Sequence, residues 1–208
     1  MYTSLFERAP PDQTNNKYNI VFHSITIHTT VTHAPSVVEN WLSNLPRNNN
    51  NRSYLVGLDV EWLPNRQPSM DNPVAVLQLC VDKECLVFQI IHAPSIPESL
   101  VAFLENQNNT FVGVGVGEDV EKLLRDYSLR VANFVELCTL AVEKIGDHMK
   151  RAGLKTLALH ILGKGMEKPR KITMSKWNDL KLSHQQVRYA CIDAFVSFEI
   201  GRILNAGN

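Results

Sequence analysis

The chain has 208 residues, 44% hydrophobic and 20% charged, with 10 Gly and 10 Pro. That composition excludes collagen, coiled coil and wholesale disorder, and the length supplies one sizeable core. Lys plus Arg number 21, as do Asp plus Glu, so global charge announces no polyanionic partner. No run reaches the ~18 apolar residues of a membrane span, and the first ten residues lack the apolar centre of a secretory signal. An intracellular protein, nuclear or cytoplasmic, with no membrane partner is expected. The four cysteines sit in apolar runs without a CxxC pair and read as reduced core thiols.

After a polar opening over residues 1–17, the stretch Tyr18 to Val31 is rich in β-branched and aromatic residues and reads as one long or two short strands. Ser36 is placed to cap a helix carrying Val38, Trp41, Leu42 and Leu45, which stops at Pro46; Asn48 to Asn51 marks a surface loop. Three apolar strands follow at 54–62, 74–81 and 85–90, the last two joined by the hairpin connection Asp82-Lys83-Glu84. A helix from about Pro97 to Glu105 leads to a buried strand at 110–116. Beyond it the pattern is mostly helical, at 119–129, 138–148, 154–162 and 184–204, with Ser183 and Gln186 forming a capping box for the last helix. Strands first and helices later, with helices interspersed, is an α/β layer arrangement in one domain spanning 1–208, its motif-bearing core at about 54–204.

Three acidic positions interrupt this apolar pattern. Asp59 and Glu61 lie two apart on a strand and point to one side of the sheet, where two poorly solvated like charges raise each other's pKa unless a cation joins them. Hard oxygen ligands of this kind suit Mg²⁺ or Mn²⁺; an edge strand with two solvated acids is the plainer alternative. Asp119 follows a glycine-rich stretch, Gly113-Val-Gly-Val-Gly-Glu-Asp119, at the start of a helix. It reads either as an acid favoured by the helix dipole or as part of a turn that approaches something closely; the dinucleotide pattern GxGxxG fails at Glu118. Tyr189 and Asp193, four apart on one helix face, are either a hydrogen-bonded surface pair or a pair near the core.

Basic residues are unevenly spread. Between Lys150 and Lys181 stand nine, against two acids. The run is either a solvated face or a phosphate-tracking patch beside an acidic site, in which case Lys168, Arg170, Lys171 and Lys176, with Trp62 closing the first acidic motif, are the candidate nucleic-acid contacts.

Asp59-Val-Glu61-Trp62, then Gly113 to Asp119 with Lys122-Leu123, then Tyr189-Ala-Cys-Ile-Asp193-Ala194 stand in the order and approximate spacing of the three motifs of the DEDDy 3′–5′ exonucleases. From about Tyr54 to Leu204 the chain resembles most the exonuclease domain of Werner-syndrome-type proteins, and more distantly RNase D and proofreading exonuclease domains. Its second motif reads Gly117-Glu118-Asp119 where such relatives more often have Glu-Gly-Asp, so a differently shaped turn is expected there.

The resemblance implies a ribonuclease H-like α/β fold, a central five-stranded mixed sheet flanked by helices and extended by N-terminal strands. It implies a two-metal-ion exonuclease that hydrolyses phosphodiester bonds at the 3′ end of DNA or RNA and releases nucleoside 5′-monophosphates. Asp59 would bridge two Mg²⁺ or Mn²⁺ ions, Glu61 and Asp193 would complete the nucleophile-side ion, and Asp119 would hold the other mainly through water. Tyr189 would orient the attacking water. Two rival readings stand beside it: a catalytically weak or inactive nucleic-acid-binding module, and a homo-oligomeric scaffold that retains the fold.

Overall fold

Strand β4 (Leu55–Trp62) is the one around which the sheet is laid out. The computed structural model of the chain describes residues 5–7, 15–46, 53–65, 67 and 69–207. β4 pairs antiparallel with β5 (Val74–Val81), and β5 antiparallel with β6 (Glu84–Phe88) through the expected hairpin, where Asp82 takes φ +53°. On its other side β4 pairs parallel with β7 (Thr110–Gly113), and β7 with β8 (Phe134–Glu136). These five strands are the mixed sheet the motifs imply.

The N-terminal stretch extends it as two strands rather than one: β2 (Asn15–Phe22) and β3 (Ile25–Thr32) form a hairpin turned at His23, and β1 (Leu5–Glu7) pairs with β2. Pairing thus begins within the opening that composition alone marks as polar. Because β3 joins β6 in parallel, the described residues form one sheet of order β1-β2-β3-β6-β5-β4-β7-β8.

Helices cover both faces. α1 (Pro35–Ser43), α2 (Glu98–Glu105) and α3 (Val116–Tyr127) bury Val38, Trp41, Leu100, Leu104, Val120 and Leu123 on one. On the other, α4 (Leu137–Lys144), α5 (Leu154–Leu162), the short α6 (Arg170–Thr173) and α7 (His184–Ile203) bury Leu140, Leu157, Ile172, Val187 and Phe195. β5, covered on both sides, is buried at every position, which is why its sequence is apolar on both faces except at Gln78 rather than alternating.

Most of α7 is buried, and it starts with the expected capping box: the Ser183 hydroxyl accepts from the Gln186 N–H, and the Gln186 side chain accepts from the Ser183 N–H. Its seat on the sheet is set by Gly57 of β4. A Cβ there would fall against the Ala194 carbonyl oxygen and 2.8 Å from the Phe198 nitrogen, so only glycine lets helix and strand backbones meet this closely.

Some local expectations shift. Ser36 is not the cap of α1: Ala34 holds that place and Pro35 opens the helix, its fixed φ and missing N–H suiting the first turn. β7 ends at Gly113 and α3 begins at Val116, earlier than the acid pattern suggests, because the chain turns at Gly115. The three-residue β8 is too short to show alternation and carries no sequence signal of its own. The asparagine-rich loop expected at 48–51 lies outside the described residues.

Candidate active site

Asp59 and Glu61 come from the end of β4, on the face that α7 covers. A bulge at Glu61/Trp62 breaks the β4–β5 register just there, as bulges commonly do where a strand must re-aim a side chain. With α7 seated on Gly57, Asp193 arrives directly above the strand pair. Carboxylate oxygens of Asp59, Glu61 and Asp193 all lie within 4.8 Å of one another, although Asp193 is more than 130 residues away in sequence.

Asp119 stands outside that close group, on the first turn of α3, 8% exposed and within electrostatic reach of Asp59 and Glu61. Its turn is held by a residue that pattern reading missed. Glu136 accepts from the backbone N–H groups of Gly115 (2.9 Å) and Val116 (3.1 Å), and its other oxygen from the Cys138 N–H, so one carboxylate caps the starts of α3 and α4. Gly115, at φ +77°, makes the left-handed step into α3, so the altered second motif places Glu118 in the first helical turn, exposed, and Asp119 inward.

The electrostatics follow from crowding acids away from water. Burial, with Asp193 beside it, pushes Asp59 up to about 7; burial, then Asp59 and Asp193, pushes Glu61 up to about 10; burial, then Asp59, pushes Asp119 up to about 9. Asp193 is also raised by burial, though Lys168 draws it back. Tyr189, one turn before Asp193, is held far above the usual phenol range by burial and then by Asp193, so its hydroxyl keeps its proton. Asp59 Oδ2 and Asp193 Oδ1 have no hydrogen-bond partner. Buried acceptors without donors, in a set of hard oxygens, fit a divalent cation better than any group the protein itself offers them.

The candidate nucleic-acid contacts separate. Lys168 is an exposed residue whose ammonium turns to the acids: its Nζ stands 2.7 Å from Asp193 Oδ2 and 5.4 Å from the centroid of the Tyr189 ring, with its side chain 32% exposed. Lys171 lines a cavity of about 680 Å³ that opens onto Tyr189 and Asp193; Phe22 and His23 of the N-terminal hairpin, Met166, and Arg188 of α7 line it too. Arg170 and Lys176 are exposed near α6. Trp62 is partly buried, with the Lys122 ammonium 5.2 Å over its ring; that lysine is ion-paired at 3.1 Å with both Asp71 and Asp126. Gln78, directly across from Asp59 on β5, is fully buried with both amide atoms unpartnered. Its signal was available as the one amide in an otherwise apolar strand.

A mixed sheet of this order, with a helix-borne acid brought down onto a strand-borne pair, defines a ribonuclease H-like domain with an acidic cluster of the kind that holds divalent cations. Residues 31–206 match the 3′–5′ exonuclease domain family. The chain is 37% identical over 151 residues to a 3′–5′ exonuclease of Arabidopsis thaliana, covering 72% of this chain and 52% of that protein. It is 37% identical over 147 residues to the bifunctional 3′–5′ exonuclease/ATP-dependent helicase WRN of Mus musculus, covering 70% of this chain and 10% of that one. The EXO domain of Aedes aegypti Nibbler superposes with a TM-score of 0.68 at 19% identity, over 84% of this chain and 86% of that domain. The chain belongs to the 3′–5′ exonuclease family, hydrolases that act on phosphodiester bonds. It spans about half the length of the Arabidopsis relative and a tenth of the mouse one.

Proposed function

We propose that this chain is a two-metal-ion 3′–5′ exonuclease that removes nucleoside 5′-monophosphates from the 3′ end of a nucleic acid strand. The observation that carries this reading is the convergence of Asp59, Glu61 and Asp193 within 4.8 Å, with buried oxygens left unpartnered. Those three acids, with Asp119, are the residues that would hold Mg²⁺ or Mn²⁺. When bound, such ions stabilise the charge that develops on the attacking and leaving oxygens of an in-line displacement.

The remaining work falls to the chain's own groups. Tyr189 lies one helical turn before Asp193 and orients the attacking water by hydrogen bonding. The water oxygen bonds to phosphorus as it gives up a proton to solvent, the P–O3′ bond breaks, and the 3′ oxygen of the shortened strand takes up a proton from solvent. The cavity beside Tyr189 has apolar walls at Phe22, Met166 and Ile172 and basic groups at Lys171 and Arg188, a lining suited to a nucleotide of the strand. Trp62, Arg170, Lys171 and Lys176 are the outer strand contacts in this reading.

The test is a single assay of labelled single-stranded and recessed duplex DNA and RNA with Mg²⁺ or Mn²⁺. Mononucleotide release from the 3′ end that stops on chelation is the expected result. Release that survives excess EDTA, or internal cleavage, would overturn the reading.

A further inference from the structure

The Lys168 ammonium reaches the acidic group, standing 2.7 Å from Asp193 Oδ2. It is delivered from a held segment. Met166 and Ile172 on either side are buried, Pro169 opens α6, and the His23 ring Nε2 lies 3.0 Å from the Gly165 carbonyl oxygen, tying the segment to the N-terminal hairpin. The residue is therefore built into the site from two directions.

Its place has a chemical consequence. A divalent cation on Asp193 Oδ2 needs an oxygen at about 2.0–2.6 Å, and the Lys168 ammonium already stands 2.7 Å from that atom. Like charge and volume both forbid sharing, so one cation excludes the other. A displaced ammonium nevertheless stays near, because its backbone is anchored and the Tyr189 ring lies under it at 5.4 Å. The new anion that reaches this spot in the reaction is the substrate phosphate, for which a lysine ammonium is a good charge-assisted donor.

Resting on the exonuclease reading above, we propose that Lys168 is a catalytic residue with two successive anionic partners: Asp193 while no divalent cation is bound, and a non-bridging oxygen of the scissile phosphate once one is. This differs from tracking the strand. A tracking lysine touches phosphates remote from the chemistry and shifts KM, whereas a charge on the reacting phosphate strengthens its contact in the transition state and shifts kcat.

Lys168→Met keeps the apolar stem and removes the charge, and Lys168→Arg keeps the charge; circular dichroism and Tm establish that both are folded. Two measurements decide the matter. Mn²⁺ titrated calorimetrically into nucleic-acid-free protein is expected to bind Lys168→Met roughly tenfold more tightly than wild type, because a competing positive charge is gone. At saturating Mn²⁺, hydrolysis of a labelled single strand by Lys168→Met is expected to fall about 10²-fold in kcat with KM within about twofold, and Lys168→Arg to recover part of it. Unchanged or weaker Mn²⁺ affinity, unchanged kcat, or a rise in KM alone would each overturn the proposal. If wild type releases no nucleotide from any strand, the exonuclease reading is what fails. The isotherms then still judge the competition: a tighter one for Lys168→Met supports it, and an unchanged one overturns it.

Discussion

At the scale of single residues, the site consists of acids whose ordinary behaviour is altered by where they are kept. Asp59→Asn and Asp193→Asn each remove one member of a repelling set and one proposed hard ligand together. Both variants are expected to lose detectable hydrolysis. Metal-free Asp59→Asn is expected to keep or gain thermal stability, because neutralising one buried like charge relieves the others, whereas in Asp193→Asn the loss of the 2.7 Å ion pair with Lys168 offsets that gain. Melting curves with and without Mn²⁺ check this; a variant that melts well below the metal-free wild type would mean that the carboxylate is structural. Tyr189→Phe is expected to lower turnover by about 10²- to 10⁴-fold, the usual worth of an orienting or acid–base group, and to leave Mn²⁺ binding intact. Wild-type turnover in that variant would reduce Tyr189 to packing against Trp177, whose ring centroid is 5.9 Å away.

At the scale of elements, the decisive contact is α7 on β4. Gly57→Ala pushes a methyl group into the α7 backbone at Ala194 and Phe198, one residue from Asp193. Overpacking of this kind costs about 1–3 kcal/mol, and lifting the helix also withdraws Asp193 from its partners. A lower urea midpoint together with lower activity is expected; loss of stability with full activity would show that the cluster does not depend on this seat. The basic run around α6 divides into a site lysine and a surface set. Replacing Arg170, Lys171 and Lys176 with Ala is expected to weaken binding about equally across sequences. It should also flatten the log–log salt dependence by roughly one unit for each phosphate no longer neutralised, while turnover at saturating substrate changes little. Affinity of the Asp59→Asn form, measured over a range of salt with and without the triple change, isolates binding from cleavage. An unchanged slope would return those three residues to a solvated face.

At the scale of the whole molecule, the buried acids make stability depend on pH and on metal. In the folded chain burial pushes Asp59 up to about 7, Asp119 up to about 9 and Glu61 up to about 10, all above the ordinary carboxylate range they have when unfolded. Between the ordinary range and these raised values the folded chain binds more protons than the unfolded one. The stabilisation is therefore complete in acid, below the unfolded pKa values, and is lost as pH rises through the folded ones. Chelated protein is expected to show a Tm that falls from about pH 5 to pH 9, and Mg²⁺ to restore more of it at the alkaline end. A chelated Tm that is flat or rising over that window would contradict the burial of these groups.

Local pattern by itself determined much of this protein. Period-two and continuous apolar runs marked β4, β5 and β6, the Ser183/Gln186 box marked the start of α7, and the order and spacing of three short motifs, through their resemblance to the DEDDy exonucleases, singled out Asp59, Glu61, Asp119, Tyr189 and Asp193. Those signals are legible because each is carried by residues within a few positions of one another, where strand and helix periodicity act directly. What depends on distant parts of the chain meeting was decided only by the tertiary structure. Asp193 joins Asp59 and Glu61 while Asp119 stays apart; Lys168, alone of the basic run among the described residues, reaches Asp193; Glu136 caps two helices; and the N-terminal hairpin walls the cavity and braces the Gly165 segment. The physical reason is that a side chain's partner, and with it its charge environment and role, is set by how sheet and helices pack, and one lysine in a basic run looks like the next until packing gives it an acid to face.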